Sequence, residues 1–586
     1  MNKSRLPFFL FSLALFTLSC NKADTDQGSP LLPSVNSVFL STDKACYKPG
    51  EVVKFELDRE LPNSAMIRYR HLNTIVDETL YSGKNWSWNP PASDFTGFMA
   101  DVYEMKDGVE KVYGSIAVDV SSDWCRFPRY GFLSEYQAMT PLAIDYVVEN
   151  LARYHINGLQ FYDWQFDHHK PLAGTVENPA EVWKDIANRD NYLSTVQGYI
   201  DAAHRCNMKA MFYNLAYGAL SNASGDGVLD QWYLFTDLFH ASKDFHALPT
   251  PMFKSNIYLT DPSNREWQQY LAQQNRDVYE VFDFDGFHID QLGNRNRTLY
   301  NYGGYPVNLP QVFKDFIQAM KMDMPDKELV MNAVNQYGQA EIASSAVSFL
   351  YSEVWAPNDG FDDLAGIITA NNALSNNSKN TVLAAYMNYD LANSSGFFNP
   401  AGVLLANSVI FAFGGSHLEL GEHMLAKEYF PNNNLQVSGQ LRSALIAYYD
   451  FLVAYQNLLR DGGEINQPEV NSDNSQVNIG SWPPEAGKIA VVGRLIESAQ
   501  IINLINFNNV SSMLWRDTNG DQLEPVEVKN LYLKFKTSRQ VEQVWIASPD
   551  LNFGLPQSVN FSSLPDGVEI DVPYLKYWDM IVVEYQ

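Results

Sequence analysis

The sequence predicts a multidomain α/β plus all-β chain, with a central (β/α)8 TIM barrel between an N-terminal immunoglobulin-like β-sandwich and a C-terminal β-sandwich. Three observations carry this expectation. At 586 residues the chain is too long for one hydrophobic core. Over residues 123–460, apolar runs that end in polar or aromatic residues alternate with amphipathic stretches. On either side of that region the pattern changes to short strand-like segments separated by turn signals.

Residues 1–20 open with Lys3 and Arg5, continue through an apolar run over 6–18 and end in Ser19-Cys20. That is a secretory signal, and the run is too short for a spanning helix. Its end, Thr17-Leu18-Ser19-Cys20, resembles a bacterial lipoprotein cleavage site, although Thr17 replaces the usual Leu. Cys20 is then the expected lipidation site, and the mostly polar residues 21–35 are a flexible tether. The expected location is the bacterial envelope, at the outer-membrane surface or in the periplasm, with Cys20 the sole membrane contact.

Residues 36–122 hold Val38-Phe39-Leu40, Val52-Val53-Lys54-Phe55-Glu56-Leu57 and Met66-Ile67-Arg68-Tyr69-Arg70, with a strong turn at Tyr47-Lys48-Pro49-Gly50-Glu51. Further strands are expected over 97–104 and 112–120. Short strands at this spacing predict the immunoglobulin-like sandwich. It carries no carboxylate pair or metal-ligand spacing, so its expected role is structural or to extend a binding surface.

The eight strand runs of the barrel region are 129–136, 158–164, 209–217, 286–292, 329–334, 348–355, 381–388 and 408–420. Helices are expected over 141–154, 192–205, 264–282, 309–322 and 362–373. The interval 218–260 exceeds a normal βα loop and reads as an insertion over the active face. Asp461-Gly462-Gly463 and the polar stretch 471–476 open the last domain, 461–586, with strands over 489–492, 499–507, 528–535 and 580–585. Asp517-Thr518-Asn519-Gly520-Asp521 has the spacing of a calcium loop, but Val528 stands where a closing carboxylate is needed, so a plain turn is expected.

Charge narrows the partners. Against 41 basic residues stand 68 acidic ones, a formal net charge of −27. Such a field repels phosphate backbones and anionic lipid, so no nucleic-acid partner is expected. The 33 Tyr, 34 Phe and 12 Trp suit either sugar-stacking platforms or large β cores. Among four cysteines, Cys46 and Cys125 flank the first domain and their pairing is left open. Cys206 lies among helix-like residues and reads as a buried thiol. His168 and His169 are neighbours whose side chains point apart on an extended chain, and His417 and His423 have no compelling spacing, so no metal and no cofactor are expected. There is no Gly-x-Ser-x-Gly elbow and no Gly-rich phosphate loop.

In a barrel enzyme, chemistry sits at the C-terminal ends of the strands. The second run ends in Phe161-Tyr162-Asp163-Trp164-Gln165-Phe166-Asp167-His168-His169-Lys170-Pro171, dense in hydrogen-bonding groups and rings. The fourth, Gly286-Phe287-His288-Ile289-Asp290-Gln291-Leu292-Gly293, stops at a carboxylate. The sixth ends Tyr351-Ser352-Glu353-Val354-Trp355, the seventh Tyr386-Met387-Asn388, and the eighth runs from Gly415 through Glu419 and Glu422 to His423. Two carboxylates facing each other across such a mouth suit glycoside hydrolysis, one ionised at the anomeric carbon and one protonated at the leaving oxygen. Asp290 and Glu353 are the preferred pair, and Asp163, Glu419 and Glu422 compete with them. The acid must stay protonated near neutral pH, which Tyr351 and Trp355 would assist by desolvation.

At these residues the sequence resembles glycoside hydrolase family 66, the dextranases and cycloisomaltooligosaccharide glucanotransferases. The likeness begins at Asp123-Trp124 and Arg126-Phe127-Pro128-Arg129-Tyr130-Gly131-Phe132. It continues through Phe161-Tyr162-Asp163-Trp164 with His168 and Lys170-Pro171-Leu172, then 286–293, 351–355, 385–388 and 416–421, in order over some 300 residues. The resemblance implies a retaining enzyme on α-1,6-glucan, with dextran and isomaltooligosaccharides as partners. It implies Asp290 as nucleophile and Glu353 as general acid/base, with Asp163, Asn388 and Glu419 lining the cleft. Tyr162, Trp164, His168, His288 and Trp355 complete the expected substrate-binding set. The cyclising members carry an extra carbohydrate-binding module inserted in the barrel, and no interval here is long enough for one, which favours an endo-dextranase. A glucanotransferase is the alternative within the family, and a non-catalytic glycan-binding surface lipoprotein the alternative of another class. A monomer is expected.

Overall fold

The computed structural model describes residues 37–474 and 477–586. The signal, the tether and Cys20 lie outside the described residues. Among the described residues, no helix is long and apolar enough to cross a membrane.

Eight parallel strands follow one another in chain order: β1 (Tyr130–Leu133), β2 (Gly158–Phe161), β3 (Lys209–Leu215), β4 (Gly286–Asp290), β5 (Glu328–Met331), β6 (Leu350–Glu353), β7 (Thr381–Ala384) and β8 (Ser416–His417). Strands β1 to β5 form one sheet in that order, and β6 to β8 a second. A parallel bridge between Asn332 and Tyr351 joins the two sheets along one seam. Across the other, the Phe132 amide donates to the Leu420 carbonyl at 3.0 Å. Alternate residues part to two cores, as a period of two requires. Tyr130, Phe132, Met211, Val330, Tyr351, Val382, Ala384 and Leu418 meet one another in an inner cluster. Leu159, Phe161, Phe212, Phe287, Ile289, Leu329 and Leu383 join the helices in the main core.

One helix follows each strand: α1 (Pro141–Arg153), α2 (Leu193–Arg205), α3 (Arg265–Val281), α4 (Leu309–Asp323), α5 (Gln339–Ala343), α6 (Phe361–Leu374), α7 (Pro400–Ala412) and α8 (Gly439–Ala454). Their starts are written locally. Thr140 accepts from the Ala143 amide ahead of Pro141, Asn264 accepts from Glu266 and Trp267, and Asn399 accepts from Ala401 ahead of Pro400. The run 408–420 is not one strand. It is helical through Ala412, and only Ser416–His417 pair as strand. Every residue of α7 from Ala401 to its end is buried, and a helix enclosed on all sides shows no 3.6-residue period. The same reason hides α8, whose inner half is wholly buried.

The N-terminal region is seven antiparallel strands in sheets of three and four. Phe55, Tyr69, Trp86 and Trp88 lie in their common core, and the Tyr69 and Trp88 rings stack at 4.2 Å. The last region sets a seven-stranded sheet against a four-stranded one, around Val491, Leu504, Leu533, Val572 and Ile581. Buried charge ties these regions to the parallel strands. Arg129, just before β1, pairs with Asp119 at 2.7 Å with both side chains fully enclosed. Asp450 of α8 accepts from Arg153, His155 and the Ala117 amide. Cys46, Cys125 and Cys206 are all free thiols. Cys46 donates to the Asn207 carbonyl and Cys125 to Glu328, so the two do not pair.

Candidate active site

A cleft of about 510 Å³ opens where β2 to β7 end. Asp290 is the last residue of β4 and Glu353 the last of β6. Between them stands Asn332, one residue beyond β5. Its amide nitrogen donates to Asp290 Oδ1 at 2.8 Å and to Glu353 Oε2 at 3.1 Å. Both oxygens share one nitrogen, so they lie less than about 6 Å apart, shorter than the ~6.5–9.5 Å of an inverting pair.

The second oxygen of each carboxylate is held by a tyrosine. Tyr213 of β3 donates to Asp290 Oδ2 at 2.7 Å. Tyr386, just past β7, donates to Glu353 Oε1 at 2.7 Å. Burial raises both carboxyls. The bonds from Tyr213 and Asn332 pull Asp290 back down. Glu353 is pushed up to about 7, by burial first and then by the charge of Asp290, against bonds from Tyr386, Asn332 and Trp355. The Asp290 charge thus acts to hold the proton on Glu353, as acid-assisted displacement requires.

The other lining residues fit this chemistry unequally. Tyr162 stacks on Phe430 at 4.2 Å and donates to the Glu428 carbonyl. Asp163 lines the cleft with its backbone at φ 48°. It is raised to about 7 by burial and the Asp185 charge, offset by Arg189. Arg189 is thus its cationic neighbour, whereas Lys170 pairs with Asp226. His168 bonds Asn214 at 2.8 Å and burial lowers it to about 4. His288 forms part of the floor against Tyr130 and Tyr213, lowered to about 3 by burial. Both imidazoles are neutral at working pH. Trp355, expected in the cleft, is not part of its lining and packs beside Tyr386 and Tyr389. The insertion over 218–260 supplies one wall through His246, Leu248, Met252, Phe253 and Ile257.

Besides Trp355, three expected lining residues sit elsewhere. Trp164 is enclosed among Trp183, Phe212, Phe282 and Phe284. Glu419 faces the helix layer, accepting from Asn407 of α7 and Tyr449 of α8. Leu418 takes the inward position there, so 417 and 419 must point out. Asn388, at φ 54°, donates to the Asp517 carbonyl and carboxylate. Glu422 accepts from the Ser134 and Glu135 amides and is absent from the lining. The turn at 517–521 is closed by Asp517, whose oxygens accept from Asp521, Gln522, Asn388 and Asn399. The sequence analysis does not single out Asn332 or Tyr213, and names Tyr386 only as part of the seventh strand end. The available signal was their place at strand C-terminal ends.

Paired buried carboxylates at the ends of parallel strands are an arrangement that suits glycoside hydrolysis. The profile of glycosyl hydrolase family 66 matches residues 42–582, and the chain belongs to that family. A cycloisomaltooligosaccharide glucanotransferase of Niallia circulans is 27% identical over 745 aligned residues, spanning 99% of this chain and 75% of that protein. A dextranase of Streptococcus salivarius is 24% identical over 544, spanning 80% of this chain and 65% of its own length. The crystal structure of a Paenibacillus sp. cycloisomaltooligosaccharide glucanotransferase complexed with cycloisomaltoheptaose matches with a TM-score of 0.85 at 25% identity. That match covers 94% of this chain and 100% of the other.

Proposed function

We propose that this protein is an endo-acting, retaining hydrolase of α-1,6-glucan, a dextranase releasing isomaltooligosaccharides, on a closed (β/α)8 barrel flanked by two β-sandwiches. The single observation behind the mechanism is the Asn332 amide shared by Asp290 and Glu353. Asp290 attacks the anomeric carbon while Glu353 gives its proton to the departing glucosyl oxygen. The bond to that oxygen breaks as the Asp290 ester forms. Glu353, now a carboxylate, takes a proton from water, whose oxygen displaces Asp290 and restores the original configuration.

Hydrolysis over cyclisation is supported by length. The alignment with the Niallia glucanotransferase has 745 positions against 586 residues here, so about 160 positions of that protein, the size of a domain, have no counterpart. Glucanotransfer remains the second reading, favoured by the fuller coverage of this chain by the glucanotransferases than by the dextranase. We also propose export and anchoring through Cys20. Incubation with dextran, following reducing ends and separating linear from cyclic products, tests the function, with Asp290→Asn as control. Linear isomaltooligosaccharides support the dextranase, and cyclic products replace it with the glucanotransferase. No new reducing ends or cyclic products from folded protein would leave only glycan binding.

A further inference from the structure

One loop of the C-terminal region reaches across to the cleft. Trp515 is fully buried, its indole donating to the Asn358 carbonyl at 2.8 Å and its amide to Asp359 at 3.0 Å. The Thr518 carbonyl accepts from the Asp390 and Leu391 amides, and the Asn388 amide donates to the Arg516 carbonyl at 2.9 Å. Asp517 packs so closely on α7 that a Cβ added at Gly402 would fall 2.5 Å from its carboxylate. That loop is fastened at every residue from 515 to 518.

Its one cation points inward. Arg516 Nη2 donates to the Val354 carbonyl at 2.9 Å and Nη1 to the Tyr386 carbonyl at 3.0 Å. Val354 directly follows Glu353, and Tyr386 is the residue whose hydroxyl holds Glu353 Oε1. The guanidinium also lies over the Trp355 ring, 5.2 Å from its centroid, and 5.6 Å from that of Tyr389. A planar fork on two carbonyls fixes the spacing of two strand ends in a way a single hydrogen bond cannot.

We infer that Arg516, contributed by the C-terminal region, is a positioning residue for the general acid/base, locking the ends of β6 and β7 so that Tyr386 and Trp355 meet Glu353. This rests on the proposed roles of Glu353 and Asp290. It makes the last region part of the catalytic apparatus instead of a passive flank. Loss of Arg516 frees the two strand ends and removes a nearby positive charge, so the Glu353 carboxyl titrates higher while its hydrogen-bonded geometry loosens.

The test uses the full-length protein with Arg516→Ala and Arg516→Lys. Two readouts are taken: steady-state kinetics on dextran across pH, and titration of the Glu353 carboxyl by infrared difference against Glu353→Gln in each background. Arg516→Ala is expected to lose about tenfold or more in kcat with KM changed less than about threefold, as for a group misaligned in the transition state. Its Glu353 midpoint and alkaline kinetic limb both rise, and Arg516→Lys recovers part of each. An unchanged Glu353 midpoint with unchanged kcat overturns the inference, as does a loss that Arg516→Lys does not lessen. The infrared titration needs no turnover, so an inactive wild-type protein would defeat the proposed function while this positioning role was still judged. If Arg516→Ala does not fold, Arg516→Lys alone decides, because one carbonyl contact must give an intermediate midpoint shift.

Discussion

Replacing Tyr386 by Phe removes one hydroxyl and leaves the ring in place. That hydroxyl donates to Glu353 Oε1 at 2.7 Å, and the bond favours the charged carboxylate, holding the pKa below what burial alone would set. A hydrogen bond to a charged group is worth about 1.5–3 kcal/mol, and about 1.4 kcal/mol corresponds to one pKa unit. Tyr386→Phe is therefore expected to raise the Glu353 carboxyl by about one to two units from its value of about 7. The sign follows from the role of the group. An acid must be protonated to give its proton to the leaving oxygen, so activity falls as pH rises through its pKa. Raising that pKa moves the alkaline limb of kcat/KM to higher pH, and this limb reports the free enzyme. The assay is initial-rate hydrolysis of dextran in overlapping buffers of constant ionic strength. An alkaline limb that stays in place, or moves to lower pH, would refute the assignment of Glu353 as the acid held by Tyr386.

Tyr213→Phe acts on the other carboxylate with the opposite consequence. The bond from Tyr213 lowers Asp290, so its loss raises the acid limb and narrows the profile from the low-pH side, measurable in the same titration. Glu353→Gln should cost about 10²–10⁴-fold on dextran and far less on an aryl glucoside whose leaving group needs no proton; equal losses on both substrates would contradict the role. Asp450→Ala strands Arg153 in a buried site, and the expected destabilisation is about 3–5 kcal/mol by denaturant unfolding. Cys20→Ala is expected to move the protein from the membrane fraction to the soluble one, and unchanged membrane association would remove the proposed anchor.

The two carboxylates were legible because strand ends are marked locally. In Gly286-Phe287-His288-Ile289-Asp290 an apolar stretch stops at an acid, and Tyr351-Ser352-Glu353 repeats the device. Seven of the eight expected runs centre on parallel strands, and the eighth overlaps one only at Ser416–His417. Of that run, residues 408–412 belong to α7, which is buried on every side. Helix α8 escaped in the same way. Asn388 and Glu419 were expected in the cleft from the family resemblance, and Trp164 from its place beside Asp163 at the second strand end. Beyond a strand end the facing of each side chain depends on local backbone: the positive φ at Asp163 and Asn388, and the inward turn of Leu418.

By itself the sequence determined the position of most parallel strands, the absence of phosphate-binding and serine-nucleophile motifs, and the acids that end β4 and β6. Those are local properties, set by hydrophobic period, capping residues and turn chemistry. Only the tertiary structure decided that Asn332 bridges Asp290 and Glu353, that Tyr213 and Tyr386 hold their outer oxygens, and that Arg516 arrives from a distant region. Asn332 and Glu353 are 21 residues apart, and Tyr386 and Arg516 are 130. No local pattern records contacts at such separations, because they form only when the strands have been brought side by side. The upward shift of Glu353 belongs to the same level. It comes from burial and from the charge of one carboxylate acting on the other, and neither exists in the extended chain.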